Sequence, residues 1–263
     1  MPQKPQTEHE RETSVILFGS LGVAVDCLEW LLGQPGLRVL GVVCTRAPKS
    51  VWRRTVSDRD MQDVAPTLGV PLLTMDDVLS MNADIGLSVR FHHILRASHL
   101  SRFRLGVVNL HGAPLPEMRG SMCDAMAIVE GRNHYGTTLH WMDCGIDTGD
   151  ILAERRFPIG PDDTVFDLFE QSNRFGLELI QAHLLRIISG DLQGRPQQQL
   201  TDEQDLHCLT YTSKEVLKYK AIHPGLCQEQ LWNRVRAFQF PGHEPAYFVT
   251  PSGKIYCSMS AHK

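Results

Sequence analysis

The stretch SVILFGSLGVAVDCLEWLLGQPGLRVLGVVCT, Ser14 to Thr45, decides the fold. Ser14–Gly19 is a β-rich apolar run closed by a glycine, the pattern of a buried parallel strand. In the following GVAVDCLEWLLGQ, Val23, Leu28, Leu31 and Leu32 recur at roughly helical spacing, and Gly33, Pro35 and Gly36 stop the helix. Leu37–Thr45 reads as a second strand. Strand, helix and strand in about 30 residues make a βαβ unit. GSLGVA only half-resembles a dinucleotide fingerprint, and a tight strand-to-helix turn accounts for it.

The same alternation continues outward. Arg46–Asp60 is polar and basic, a surface loop that leads into a helix at DMQDVAPTLGV. PLLTMDDVLSM reads as a short strand and a helix started by Asp76 or Asp77. Asp84–Phe91 is a strand, RASHLSRF a short helix and Gly106–His111 a strand. CDAMAIVEGR is a helix ended by Gly131, and Gly136–Met142 and Asp150–Ile159 are strands that pair. A long helix follows, capped by Asp162 or Asp163 and stopped at Gly190. Arg195–Asp205 has the low hydrophobicity of a linker. Beyond it lie a helix at QLWNRVRAF and a hairpin, YFVTPSGKIYCS. The expected fold is α/β, a Rossmann-like open and mostly parallel sheet with a small α+β C-terminal module. The expected divisions are a disordered tail at 1–13, a catalytic domain at 14–200 and an accessory module at 206–263.

Two motifs carry chemistry. In VVNLHGAPLPEMRG (Val107–Gly120), Asn109 and His111 are two positions apart at the end of a strand, so they share a face. Ligands of open parallel sheets sit at that end. An amide and a protonated imidazole there can aim hydrogen bonds at one developing negative charge, although each can equally satisfy loop backbone. About 30 residues later comes MDCGIDTGDIL (Met142–Leu152), three carboxylates around two glycines. Asp147 beside His111 would hold the imidazole cationic and can accept a proton from an attacking amine. Asp143 and Asp150 read as turn formers or helix-end partners.

NLHGAPLPEMRG followed by MDCGIDTGDIL resembles the folate-dependent formyltransferase family. Its N-x-H element, Pro-x-x-Arg-Gly turn and D-x-G-x-D-T-G loop occur in this order, and the resemblance covers most of residues 14–190. It implies 10-formyltetrahydrofolate as co-substrate and formyl donor, no metal, and Asn109, His111 and Asp147 as the catalytic triad. Phe91, His92, His93, Ile94, Leu95, Asp143, Gly145 and Ile146 take the folate-binding positions; Met118, Arg119, Gly120 and Ser121 take the acceptor-binding ones. His92 and His93 are expected to line or support the folate loop, with His134 in a polar turn. Cys144 stands where Glu is common in that family. The Ser-Met-Cys after Arg119-Gly120 also departs from the usual residues and leaves the acceptor open.

Among the family's branches the tail (KYKAI, WNRVRAFQFPGHEPAYF, KIYCS) looks most like that of the amino-sugar N-formyltransferases. The implied acceptor is a dTDP-, UDP- or GDP-linked amino-dideoxy sugar of a surface glycan, and a homodimer is common there. Arg234 and Arg236 read equally as acceptor contacts or as anchors of the tail, and the Arg46–Arg54 loop is a second candidate for phosphate contact. A hydroxyornithine-like amine, methionyl-tRNA, hydrolysis of the formyl donor and a non-catalytic folate scaffold are the competing readings. The 263 residues, 42% hydrophobic and 21% charged, suffice for a full core. The formal charge of −4 lacks the basic surplus of a phosphate-gripping protein, so nucleic acid is not expected. No apolar run reaches membrane-spanning length, no secretion signal is read at the N-terminus, and seven scattered cysteines without a CxxC pair fit a reducing cytoplasm.

Overall fold

Alternate residues of the first strand enter two different cores. Val15 and Leu17 pack among Leu28, Leu31, Ile180 and Leu184 on one face of the sheet. Ile16 and Phe18 pack with Val78, Leu95 and Phe103 on the other. A strand covered on both faces needs a continuous apolar run, which is what SVILF supplies.

The computed structural model describes residues 12–45, 48–204 and 206–259. The expectations for the tail through residue 11 and for Arg46 lie outside the described residues. The strands are β1 (Thr13–Phe18), β2 (Leu37–Val43), β3 (Leu72–Leu73), β4 (Ile85–Val89), β5 (Val107–His111), β6 (Met118–Gly120), β7 (His134–Trp141), β8 (Ile151–Pro158), β9 (Leu209–Tyr211), β10 (Ala221–Ile222), β11 (Ala246–Thr250) and β12 (Gly253–Cys257). The helices are α1 (Gly22–Leu32), α2 (Val51–Thr55), α3 (Met61–Thr67), α4 (Met75–Leu79), α5 (Ala97–Leu100), α6 (Cys123–Val129), α7 (Val165–Ser189), α8 (Gln197–Gln204), α9 (Ser213–Val216) and α10 (Gln228–Ala237).

The main sheet runs β3-β2-β1-β4-β5-β7-β8. It is parallel from β3 to β5, and β7 is antiparallel to both β5 and β8. This is the open, mostly parallel α/β sheet expected from the sequence. Strand order reverses beside β1, so the crevice for a ligand lies at the carboxyl ends of β1, β4 and β5.

The 25-residue α7 crosses the sheet behind β5. Its Gly176 meets Leu110, so a Cβ there would drive into that side chain. The N-cap is Thr164, in a capping box with Asp167, and not Asp162 or Asp163; the helix stops at Gly190 in the left-handed conformation. Thr74 with Asp77 likewise caps α4, where Asp76 or Asp77 was expected. The expected linker after Arg195 is helical over Gln197–Gln204.

The C-terminal segment shares a core with what precedes it. Val235, Phe238 and Ala246 pack with Met118, Ile128 and Phe157, and β9 pairs in parallel with β6. Each fully buried apolar side chain of this kind contributes about 1.5–3 kcal/mol. The expected hairpin is present as β11 and β12, joined through Pro251 and Ser252. Arg236 is buried and donates to the Gly160 and Asp163 carbonyls, while Arg234 donates to that of Ala221. Both anchor the tail. No helix among the described residues is long and apolar enough to cross a membrane.

Candidate active site

Asn109 and His111 project from the last turn of β5 on the face opposite Leu110, which packs into the core. They line a cleft of about 530 Å³ at the carboxyl end of the sheet. The β5/β7 register sets His140 directly opposite Asn109. His140, 2% exposed, has Nδ1 at 2.8 Å from the Trp141 carbonyl, and Asn109 Nδ2 lies 3.0 Å from its Nε2. With the Nδ1 proton on the carbonyl, Nε2 accepts from the Asn109 amide. One amide N–H is thereby fixed and the other is left for the cleft.

Asp147 arrives from the 142–149 loop. Asp143 Oδ1 folds that loop by accepting from Gly145 N at 2.9 Å and Thr148 Oγ1 at 2.6 Å. Asp147 itself has φ 53°, a conformation that Asp and Asn tolerate better than most side chains. Its Oδ2 accepts from Gly120 N at 2.9 Å and stands 3.6 Å from His111 Nδ1; its Oδ1 stands 3.6 Å from His140 Nε2. The backbone at Gly120 has φ 88°, and a Cβ there would collide with the Tyr211 carbonyl. The turn that offers its N–H to Asp147 therefore requires glycine.

Burial alone would raise the Asp147 carboxyl. The His140 and His111 rings beside it and the Gly120 N–H outweigh burial and hold the group down, at about 2. His111 behaves differently from the expected cation. Burial pushes its imidazole below the ordinary 6.5, although Asp147 pulls the other way. His111 Nε2 sits 2.8 Å from the Met118 carbonyl, so the neutral ring donates there and turns a bare Nδ1 toward Asp147. At neutral pH the pair is a proton acceptor. The sequence reading overlooked the penalty of burying the ring, which exceeds the attraction of one neighbouring carboxylate.

Phe91, His92, His93, Ile94, Leu95, Asp143, Gly145 and Ile146 all border the same cleft. Ile94 is 77% and Ile146 58% exposed, two apolar side chains at its mouth. His92 Nε2 lies 3.2 Å from Thr45 Oγ1. His134, at the outer end of β7, is not among the residues that border the cleft. Of the four acceptor-binding expectations, Gly120 and Ser121 border the cleft, but the side chains of Met118 and Arg119 do not. Met118 is buried in the core behind the turn. Arg119 donates from Nε and Nη2 to Gln197 Oε1 at 3.1 and 2.6 Å. Of the described part of the Arg46–Arg54 candidate, Arg53 is committed internally, buried on Asp58, Asp60 and the Ser20 carbonyl.

Sequence reasoning missed two supporting residues. Gln197 donates from Nε2 to the carbonyls of Asp147 and Gly149, both at 2.8 Å, so one amide ties Arg119 to the Asp147 loop. His140 was legible only as a polar residue in an otherwise apolar strand end. Chemically, the arrangement offers a fixed amide N–H, an ionised carboxylate and a neutral imidazole to one point in a cleft. That set can stabilise an oxyanion and take a proton from a nucleophile.

The family model described as formyl transferase matches residues 71–184. A methionyl-tRNA formyltransferase of Sorangium cellulosum is 32% identical over 256 residues, covering 94% of this chain and 78% of that protein. In fold, the chain is similar to a 4-N formyltransferase from Francisella tularensis, with TM-score 0.79 at 15% identity, covering 97% of this chain and 100% of that one. It is also similar to an N-formyltransferase from Helicobacter canadensis, solved with folinic acid and dTDP-3-aminofucose, with TM-score 0.73 at 22% identity, covering 86% and 80% of the two chains. On the sequence match over more than three quarters of a curated relative, the chain belongs to the formyl transferase family.

Proposed function

We propose that this protein transfers a formyl group from 10-formyltetrahydrofolate to the amine of a nucleotide-linked amino sugar. The observation that carries the reading is the convergence of Asn109, His111 and Asp147 in one open cleft. The cleft suits the donor. Its volume of about 530 Å³ matches a ligand of that size, and Ile94 and Ile146 offer apolar faces to a flat heterocycle.

The acceptor amine attacks the formyl carbon, and the carbonyl oxygen becomes an oxyanion. The free Asn109 N–H, fixed in direction by His140, donates to that oxygen. The amine's proton passes to His111 Nδ1, whose new charge faces the Asp147 carboxylate. The carbon–N10 bond then breaks, and the imidazolium returns the proton to the departing nitrogen. Charge is created and removed inside the site, in keeping with a histidine that is neutral at rest.

The amino-sugar acceptor is supported by the likeness to a solved sugar 3N-formyl transferase over 97% of this chain and 88% of that one. The sequence match to methionyl-tRNA formyltransferases favours a second reading, formylation of an aminoacyl-tRNA; the net charge of −4 weighs against it. The test is tetrahydrofolate release from 10-formyltetrahydrofolate with dTDP-, UDP- and GDP-linked amino sugars, hydroxyornithine, methionyl-tRNA or no amine. Release that depends on a nucleotide-linked amino sugar is expected. Release that needs no amine, or that responds only to methionyl-tRNA, overturns the acceptor; no release with any of them overturns the enzyme.

A further inference from the structure

Arg90, the residue just ahead of the 91–95 loop, has a use that the steps above do not absorb. Its backbone sits at φ 52°, outside the range an ordinary side chain prefers. Such strain persists where the surroundings over-determine it, and it concentrates at functional sites. The guanidinium borders the cleft, with its carbon 4.8 Å from the centre of the Phe169 ring. Room for it is made by Gly112, directly after His111, where a Cβ would overlap Arg90 Nη1.

The guanidinium is held in place and faces the cleft. Among the described residues its five N–H donors make no hydrogen bond and no ion pair within 4 Å. Asp124, at the start of α6, also borders the cleft, and the Arg90 charge is what most offsets the burial of its carboxyl. It stands too far off to close a salt bridge. A charged planar fork that faces the cleft beside the reacting centre, uncommitted to any protein acceptor, is shaped to grip an oxyanion bidentately. Arg90's neighbours place that oxyanion on the acceptor's side. Gly112 and Phe169 lie against the guanidinium, and its charge reaches Asp124, Cys123, Tyr135 and His111; Cys123 and Asp124 continue the Gly120–Ser121 turn.

We infer that Arg90 is the specificity-determining residue that binds an oxyanion of the acceptor, a diphosphate or a carboxylate, within the same cleft as the reacting amine. The inference rests on the formyl-transfer reading above and narrows its acceptor. A nucleotide-linked sugar brings the diphosphate; an amino-acid-derived amine brings the carboxylate.

The test is calorimetric binding to wild type, Arg90→Gln and Arg90→Lys, first of 5-formyltetrahydrofolate and then, at saturating folate, of inorganic pyrophosphate, dTDP, UDP, GDP and L-ornithine. Expected is folate affinity within twofold across all three proteins, with wild-type binding of one oxyanion class. That binding falls about 10–100-fold in Arg90→Gln, the equivalent of losing charge-assisted hydrogen bonds. Arg90→Lys, which keeps the charge without the fork, falls between. Binding of pyrophosphate and a nucleotide names the diphosphate; binding of ornithine alone names the carboxylate. Oxyanion affinity unchanged in Arg90→Gln, or no oxyanion bound by a wild type that binds folate, overturns the inference alone. Absence of folate binding in the wild type overturns the donor reading beneath it.

Discussion

Replacing Asp147 by Asn separates its charge from its backbone. Asn is the other side chain that readily tolerates the φ of 53° found there, and its amide oxygen can still accept from Gly120 N. What disappears is the ionised oxygen 3.6 Å from His111 Nδ1, the group proposed to stabilise the imidazolium once the amine's proton arrives. Proton transfer with a positioned partner contributes about 10²–10⁴-fold, or roughly 3–5 kcal/mol of barrier. Asp147→Asn should therefore lower kcat by at least about 10² while folate affinity holds. Asp147→Ala should lose as much rate and in addition melt lower. It leaves the Gly120 N–H unpaired, about 1–3 kcal/mol, and places Ala in the left-handed region, about 1–2 kcal/mol. For a chain of this size that is a Tm at least about 4 °C below Asp147→Asn. The assays are stopped-time tetrahydrofolate release with the best acceptor and differential scanning calorimetry. Turnover of Asp147→Asn within about threefold of wild type would refute the carboxylate's role, and equal melting of the two variants would refute the backbone argument.

His140→Leu frees the Asn109 amide to rotate, and misplacement on that scale costs up to about 10² in kcat; His140→Gln, which can still accept from Asn109, should recover much of it, and equal defects in both would show that the bond to Asn109 is not what matters. Gln197→Ala leaves the Asp147 and Gly149 carbonyls without their donor and Arg119 without its acceptor. The four bonds lost amount to about 4 kcal/mol at roughly 1 kcal/mol per bond, so a Tm lowered by about 8–16 °C in calorimetry is expected, and an unchanged Tm contradicts it. His111 should titrate below 6.5 in histidine ¹⁵N NMR, and lower still in Asp147→Asn, which removes the one charge pulling it up. With the folded value depressed, its stability contribution is complete above 6.5 and is lost as pH falls through the folded pKa. A resonance titrating at or above 6.5 would restore the cationic reading.

Much of this was written in local pattern. The run at Val15–Phe18 gives a two-faced buried strand, and the i, i+2 spacing of Asn109 and His111 gives one face at a strand end. What escaped was of three kinds. Cap identity turned on which member of a Thr-x-x-Asp box leads, and Thr164 and Thr74 do. The helix α8 has no apolar stripe to read. Local pairs support it, Gln198 with Asp202 and Gln199 with Glu203, together with the Gln197 amide. Long-range partners were invisible. His140 reaches Asn109 only through the pairing of β5 with β7, and Gln197 draws the Arg119 side chain away from the cleft across 78 positions. The protonation of His111 escaped for a related reason. Its neighbour Asp147 was legible from the motif, whereas its burial depends on the assembled fold.

The most direct measurement is single-turnover formyl transfer by wild type and Asn109→Ala, with 5-formyltetrahydrofolate affinity measured alongside. Loss of an oxyanion donor of this kind costs about 10²–10³ in rate, so a drop of at least about 10² with folate binding within twofold is the expected result. Near-normal transfer in Asn109→Ala would contradict the claim that the amide fixed by His140 holds the oxyanion.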